Sequence, residues 1–119
     1  YNIDFIIFDK KETTTPFSKA IGVQARTLEI YEQIGLADKL IAEGTRAEKA
    51  RLVEGGEVRG EVELSDIGEG LSPYPFLLIV EQGRHEKILY DYLRASGKDV
   101  RWQTELESFS QDAAGVRVN

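Results

Sequence analysis

The segment IDFIIFD, Ile3 to Asp9, constrains the fold most, because it is apolar on both of its alternating faces. A strand wetted on one side alternates apolar with polar residues. One that is apolar on both sides is expected inside a parallel sheet with helices on each face. The segment therefore predicts an interior strand of an α/β domain, closed by the acid Asp9. The next stretch, KKETTTPF, is a polar loop in which Pro16 pushes Thr15 away from helical angles, so helix cannot begin before about Ser18.

From Val23 onward, Val23, Thr27, Ile30, Tyr31 and Ile34 fall on one stripe of a 3.6-residue period, with Arg26, Glu29 and Gln33 opposite. Gly35 closes this helix as a left-handed cap, and LADKLIAEG predicts a second short helix closed by Gly44. Two alternating runs around Gly55-Gly56 predict an antiparallel hairpin over residues 47–64. SDIGEGLSPYP reads as a mobile loop and FLLIV as a short buried strand. EQGRHEKILYDYLRASG predicts a helix with Ile88, Leu89, Tyr92 and Leu93 on one side and Gly97 at its end. A strand at 99–102 and a hairpin whose second arm is GVRV follow. Strand, helix, hairpin, helix, strand is the order of a layered α/β domain with a side excursion.

The bulk numbers exclude several functions. A chain of 119 residues has room for one modest core, and an apolar share of 41% keeps that core small. Fifteen Lys and Arg against twenty-one Asp and Glu give a net charge of −6 with the signs interspersed, so nucleic acid is a poor partner. There is no cysteine, which removes thiolate chemistry and fits a reducing, cytoplasmic setting. A single histidine, His85, excludes an ordinary zinc site. The longest apolar run, Phe76 to Val80, is far below the roughly 18 residues that cross a bilayer, so no membrane span is expected. The chain has no methionine, even at position 1, and opens directly on a strand, as a segment of a longer protein would.

Four residues at three places in the chain stand out for binding an anionic ligand. Asp9 ends a strand, where nucleotide-binding α/β folds place an acid on a ribose hydroxyl roughly 20 residues after a glycine turn. By that spacing the turn would precede residue 1. Lys19 and Arg26 flank the start of a helix, where free N–H groups and the dipole favour negative charge. Gln82 opens the later helix and can donate its amide to a phosphate or ring oxygen. For each, an ordinary polar surface residue is the competing explanation. No serine has a nucleophile-elbow glycine pattern to pair with His85, so a hydrolase is rejected. The alternation of Glu61 and Glu63 with Val62 and Leu64 is that of a solvated strand face rather than a metal site.

Taken together, FIIFDKK, FSKAIGVQARTLEIYEQIGL, IVEQGRHEKILYDYLRASGKDVRW and ESFSQDAAGVRV resemble the FAD-dependent aromatic hydroxylases of the p-hydroxybenzoate and phenol hydroxylase type. The segments match in order and at the right separations over almost the whole chain. The resemblance implies a partial Rossmann-like FAD-binding domain at 1–46 and 82–119, with inserted strands at 47–81 leading to a substrate domain. It places Asp9 on the adenosine ribose, with Lys10 after it where a basic residue is usual. Lys19 falls where the family has an arginine on the FAD pyrophosphate, and lysine lacks that residue's planar two-pronged contact. Gln82 falls on the glutamine against the phosphate and ribityl chain, and Arg26 lies in the matching helix. No residue of the chain is implied to be catalytic. The family's glycine turn, Asp-Gly motif and Gly-Asp motif have no counterpart here.

The implied function is part of an NAD(P)H-using, FAD-dependent monooxygenase that hydroxylates aromatic compounds. The alternative is a truncated relative that serves as a binding or interaction module, and flanking coding sequence would distinguish the two. Without a neighbouring strand, Ile3 to Phe8 would leave a long apolar edge with no charge between Phe5 and Phe8, which predicts a homo-oligomer.

Overall fold

The computed structural model describes residues 3–17 and 22–119. The chain is α/β, and its contacts divide it into two compact units: Tyr1–Thr14 with Tyr90–Asn119, and Thr15–Leu89.

In the discontinuous unit, β1 (Ile7–Phe8) runs parallel to β7 (Val100–Arg101), with Ile7 opposite Val100 and Phe8 opposite Arg101. A parallel pair needs a long crossover, and the crossover here ends in a helix that Gly97 stops at φ +76°. This is the kind of ladder from which a Rossmann-like sheet is built. The ladder is shorter than the sequence predicts. Ile3 and Ile6 are 71% and 62% exposed, so the segment is not covered on both faces as expected of an interior strand. The physical reason is that β1 has one strand neighbour among the described residues. After β7, β8 (Phe109–Asp112) and β9 (Gly115–Val118) form the expected closing hairpin.

The continuous unit holds the core. A three-stranded antiparallel sheet has β6 (Leu78–Ile79) at its centre, between β2 (Gly22–Val23) and β3 (Thr45–Arg46). Phe76, Leu78 and Val80 alternate inward, as the FLLIV segment predicts, and pack against Val23, Leu28, Leu36, Leu40 and Ile88. The Arg46 guanidinium covers the Phe76 ring at 4.0 Å from its centroid.

Helix α1 (Ala25–Glu32) contributes Leu28, which is fully buried, and half-buried Tyr31, while Ile30 and Ile34 stay 47% and 40% exposed. The buried stripe is thus rotated from the expected one. The 3.6-residue projection ran from Val23 to Ile34, but Val23 lies in β2 and Ile34 in the turn after the helix. Gly35, at φ +72°, lets Leu36 N–H reach back to the Tyr31 carbonyl at 2.8 Å.

Helix α2 (Ala37–Glu43) ends at Gly44, whose backbone is extended at φ −111° rather than left-handed. Its need for glycine is one of space. A Cβ there would lie 2.6 Å from Val80 Cγ2 and 2.8 Å from Leu78 Cδ1. Beyond β3, the hairpin of β4 (Lys49–Glu54) and β5 (Glu57–Glu63) turns at Gly55 and Gly56, both at positive φ as a tight primed turn requires. Glu61 pairs with Lys49 at 2.9 Å and with Arg51 across the strands, the solvated charged face that the alternation predicts. The division between the units falls within α3 (Gln82–Ala95).

Candidate functional site

Asp9 follows β1 directly. Its N–H donates to the Arg101 carbonyl at 3.1 Å, and its own carbonyl accepts from Thr104 N–H at 3.1 Å. The backbone is therefore fixed on both sides of the side chain. Oδ1 accepts Lys11 N–H at 2.8 Å, an Asx turn that bends the chain off the strand. Oδ2 accepts no hydrogen bond among the described residues. Asp9 and Lys10 line one open cavity of about 290 Å³ together with Phe8, Thr104, Glu105 and Leu106. Lys10 is exposed, and its ammonium meets Glu105 at 3.0 Å. Gln103, which lies between β7 and Thr104, holds φ +54°, the one non-glycine residue in that region among those described. Its N–H donates to the Lys11 carbonyl at 2.9 Å, so this turn is tied to the strand end.

In the second unit, Gln82 opens α3 and turns its amide to Glu86, Nε2 donating to Oε1 at 2.8 Å. Because a carboxylate only accepts, this contact dictates which way the amide faces. The sequence expectation had that amide donating to a ligand oxygen, and the structure gives it a partner within the helix. The other Glu86 oxygen, Oε2, accepts Thr15 N–H at 2.8 Å. The loop thereby docks on the first turn of α3, where a Cβ on Gly83 would stand 3.0 Å from the Thr15 carbonyl oxygen. Gly83 and Thr15 were not singled out from the sequence. The four-residue spacing of Gln82 and Glu86, and a glycine inside a helical pattern, were the available signals.

Arg26 is exposed in the first turn of α1 and pairs with Glu29 at 2.9 Å. That guanidinium, with the Ser72 hydroxyl donating at 2.8 Å, holds the Glu29 carboxyl below the usual range. Lys19 lies outside the described residues.

His85 is on the same first turns of α3. Its Nε2 meets the Tyr31 hydroxyl at 2.8 Å, with the rings edge-on at 5.5 Å, so its partner is a tyrosine and not a serine. Burial lowers the His85 pKa, opposed in part by the Glu86 charge. The unfolded chain then takes up a proton at a higher pH than the folded one, so folding stability falls as pH drops from about 7 through the unfolded value near 6.5. Urea unfolding at pH 7.5 and at pH 5.5 is expected to show lower stability at the acid end. His85→Gln, which removes the only histidine, should flatten that interval.

A family model described as "FAD binding domain" matches residues 1–119. The chain is 33% identical to a flavin-dependent monooxygenase of Mycobacteroides abscessus, covering 95% of this chain and 26% of that protein. It is 34% identical to 6-methylpretetramide 4-monooxygenase of Streptomyces rimosus, over 95% of this chain and 20% of the relative. Among solved structures, a ternary complex of aklavinone-11 hydroxylase with FAD and aklavinone superposes with a TM-score of 0.78 at 26% identity. That match covers 95% of this chain and 24% of the other. The p-nitrophenol 4-monooxygenase of Pseudomonas putida shares the fold, with a TM-score of 0.77 at 18% identity, over 95% of this chain and 31% of its own. The chain belongs to the FAD-binding domain family of flavin-dependent monooxygenases. It spans about a fifth to a quarter of the curated relatives it matches.

Proposed function

We propose that the chain is the adenosine and pyrophosphate side of the flavin site in a longer, NAD(P)H-using monooxygenase that hydroxylates aromatic compounds. The observation that carries this reading is the placement of Asp9 at the end of the parallel strand β1, with its backbone pinned and the residue itself lining an open cavity. An acceptor-only carboxylate in that position fits the hydroxyls of a ribose, the group an acid at a strand end binds in dinucleotide folds. Residues 1–46 and 82–119 belong to the flavin-binding part, and 47–81 lead toward the substrate.

Lys10 and Lys19 supply positive charge near the phosphates, and Arg26 and Gln82 add donors on the helices. Bound FAD, once reduced by NAD(P)H, supplies the activation of oxygen, while the protein supplies position and electrostatics. Relatives named for 6-methylpretetramide and for anhydrotetracycline support an aromatic or fused-ring substrate.

Flavin titration of the full-length protein tests the assignment. Asp9→Ala and Lys19→Ala are each expected to weaken FAD binding roughly tenfold to a hundredfold, as the loss of one charge-assisted hydrogen bond does. Lys19→Arg should bind as well or better, because its guanidinium offers two parallel donors. Unchanged affinity in both alanine variants would remove these residues from the site.

A further inference from the structure

The ladder between β1 and β7 departs from regular geometry just where Asp9 begins. In a parallel pair, a bonded residue turns both its N–H and its C=O to the two residues that flank its partner. With Ile7 opposite Val100 and Phe8 opposite Arg101, Asp9 stands opposite Trp102. A regular ladder would therefore give its N–H to the Arg101 carbonyl and its C=O to the Gln103 N–H. The first of these bonds is made, at 3.1 Å. In place of the second, the Asp9 carbonyl accepts Thr104 N–H at 3.1 Å, and Gln103 N–H goes to the Lys11 carbonyl at 2.9 Å. One residue has been added on the β7 side, a bulge in a parallel pair, and Gln103 takes it up at φ +54°. Gln103 is exposed, so what it contributes is its backbone.

We propose that Gln103 is a positioning residue for Asp9, and through it for the ribose end of the flavin site. The proposal rests on the flavin reading above, since it needs Asp9 to meet the cofactor. The chain of contacts runs through Lys11. Its N–H donates to Asp9 Oδ1 at 2.8 Å and so sets how the carboxylate is turned. One N–H fixes a carboxylate only if the donor is itself held, and the Lys11 carbonyl is held by Gln103. In a regular ladder Gln103 N–H would be taken by Asp9, and the turn at Lys11 would lack that tie. The bulge thus converts a bond that would extend the strand into one that holds the turn beyond it. Left-handed backbone is uncommon outside glycine, asparagine and aspartate. A glutamine held there is kept by its surroundings, and residues so held gather at binding sites. Asp9 and Thr104, the two ends of the displaced bond, both line the open cavity of about 290 Å³.

The experiment uses the full-length protein, with amide hydrogen exchange and FAD titration read side by side. Gln103→Val tests the backbone, because a β-branched residue resists positive φ. Without cofactor, it is expected to speed Lys11 exchange about tenfold or more while Leu40, bonded to the Leu36 carbonyl within the core, stays protected. It should also weaken FAD about tenfold, the worth of one hydrogen bond. Gln103→Gly adopts the same backbone freely and should keep both readings at those of the parent protein. In an Asp9→Ala background, the loss of FAD affinity from Gln103→Val should fall below about twofold, which a general loosening of the turn would not produce. If Gln103→Val speeds Lys11 exchange and FAD binding does not change, the turn is structural only and the proposal is overturned. A tenfold loss that persists in the Asp9→Ala background overturns it as well, because the turn then does not act through Asp9. If Asp9→Ala alone leaves FAD binding unchanged, it is the flavin reading that has failed, and the proposal with it. Should Gln103→Val not fold, the parent protein decides. Free exchange at Lys11 and Gln103 beside a protected Asp9 amide would overturn the proposal, and joint protection of all three would support it.

Discussion

Leu78→Ala is expected to destabilise the Thr15–Leu89 unit by about 3–5 kcal/mol, enough to leave a chain of this size mostly unfolded. Leu78 has no exposed surface and lies on β6, the strand shared by both ladders of the three-stranded sheet. Its side chain faces Leu40, Leu28 and the rest of a cluster of only eight buried residues among those described. So small a core has no reserve of neighbours to collapse into the gap, which puts the expected cost toward the upper end for such a truncation. Urea unfolding followed by the far-ultraviolet signal of the helices measures it. A loss below about 1 kcal/mol would mean that the sheet and helices are not held by this cluster.

Gly44→Ala is expected to cost about 1–3 kcal/mol by the opposite mechanism, overpacking. The added methyl would overlap Val80 Cγ2 and the Leu78 side chain, both in the core and neither able to swing into solvent. The backbone at Gly44 is one that any residue can adopt, so no conformational strain contributes. The two substitutions should therefore be non-additive. In the Leu78→Ala background the methyl loses its clash with Leu78 and keeps only that with Val80, so Gly44→Ala should cost visibly less there. Additive losses in the double variant would show that the close approach is relieved elsewhere.

Much of the architecture was legible because it is written in local chemistry. Gly55-Gly56 announced the β4–β5 turn, Gly97 the end of α3, and the apolar run Phe76 to Val80 the buried strand. What escaped is what local patterns do not encode. Strands β2 and β3 are two residues long, too short for any alternation, and exist because β6 offers each a partner. The stripe on α1 was misplaced because the helix is only eight residues, so the period was read into the strand before it and the turn after it. The strand end at Asp9 is visible in sequence, whereas the hydrogen bond between Thr15 and Glu86 joins residues 71 apart, a distance no periodicity reports. Gly44 closes α2 as the sequence predicts, but the reason for glycine there is a close contact that no local pattern reports.

The order in which the chain threads its two units sets the order in which it can fold. Ile7 meets Val100 only after the whole of Thr15–Leu89 has passed between them, and closing so long a loop in a disordered chain is entropically costly. Once Thr15–Leu89 has condensed around its own core, its two ends are no longer free, and the effective loop is shortened to the tails that leave it. The β1–β7 ladder should consequently be a late event, and the first to open when the chain is stressed. Nascent polypeptide emerging from a ribosome would hold the segment Ile3–Phe8 without β7 until residue 101 appears, a long interval for five exposed apolar and aromatic positions to await that strand.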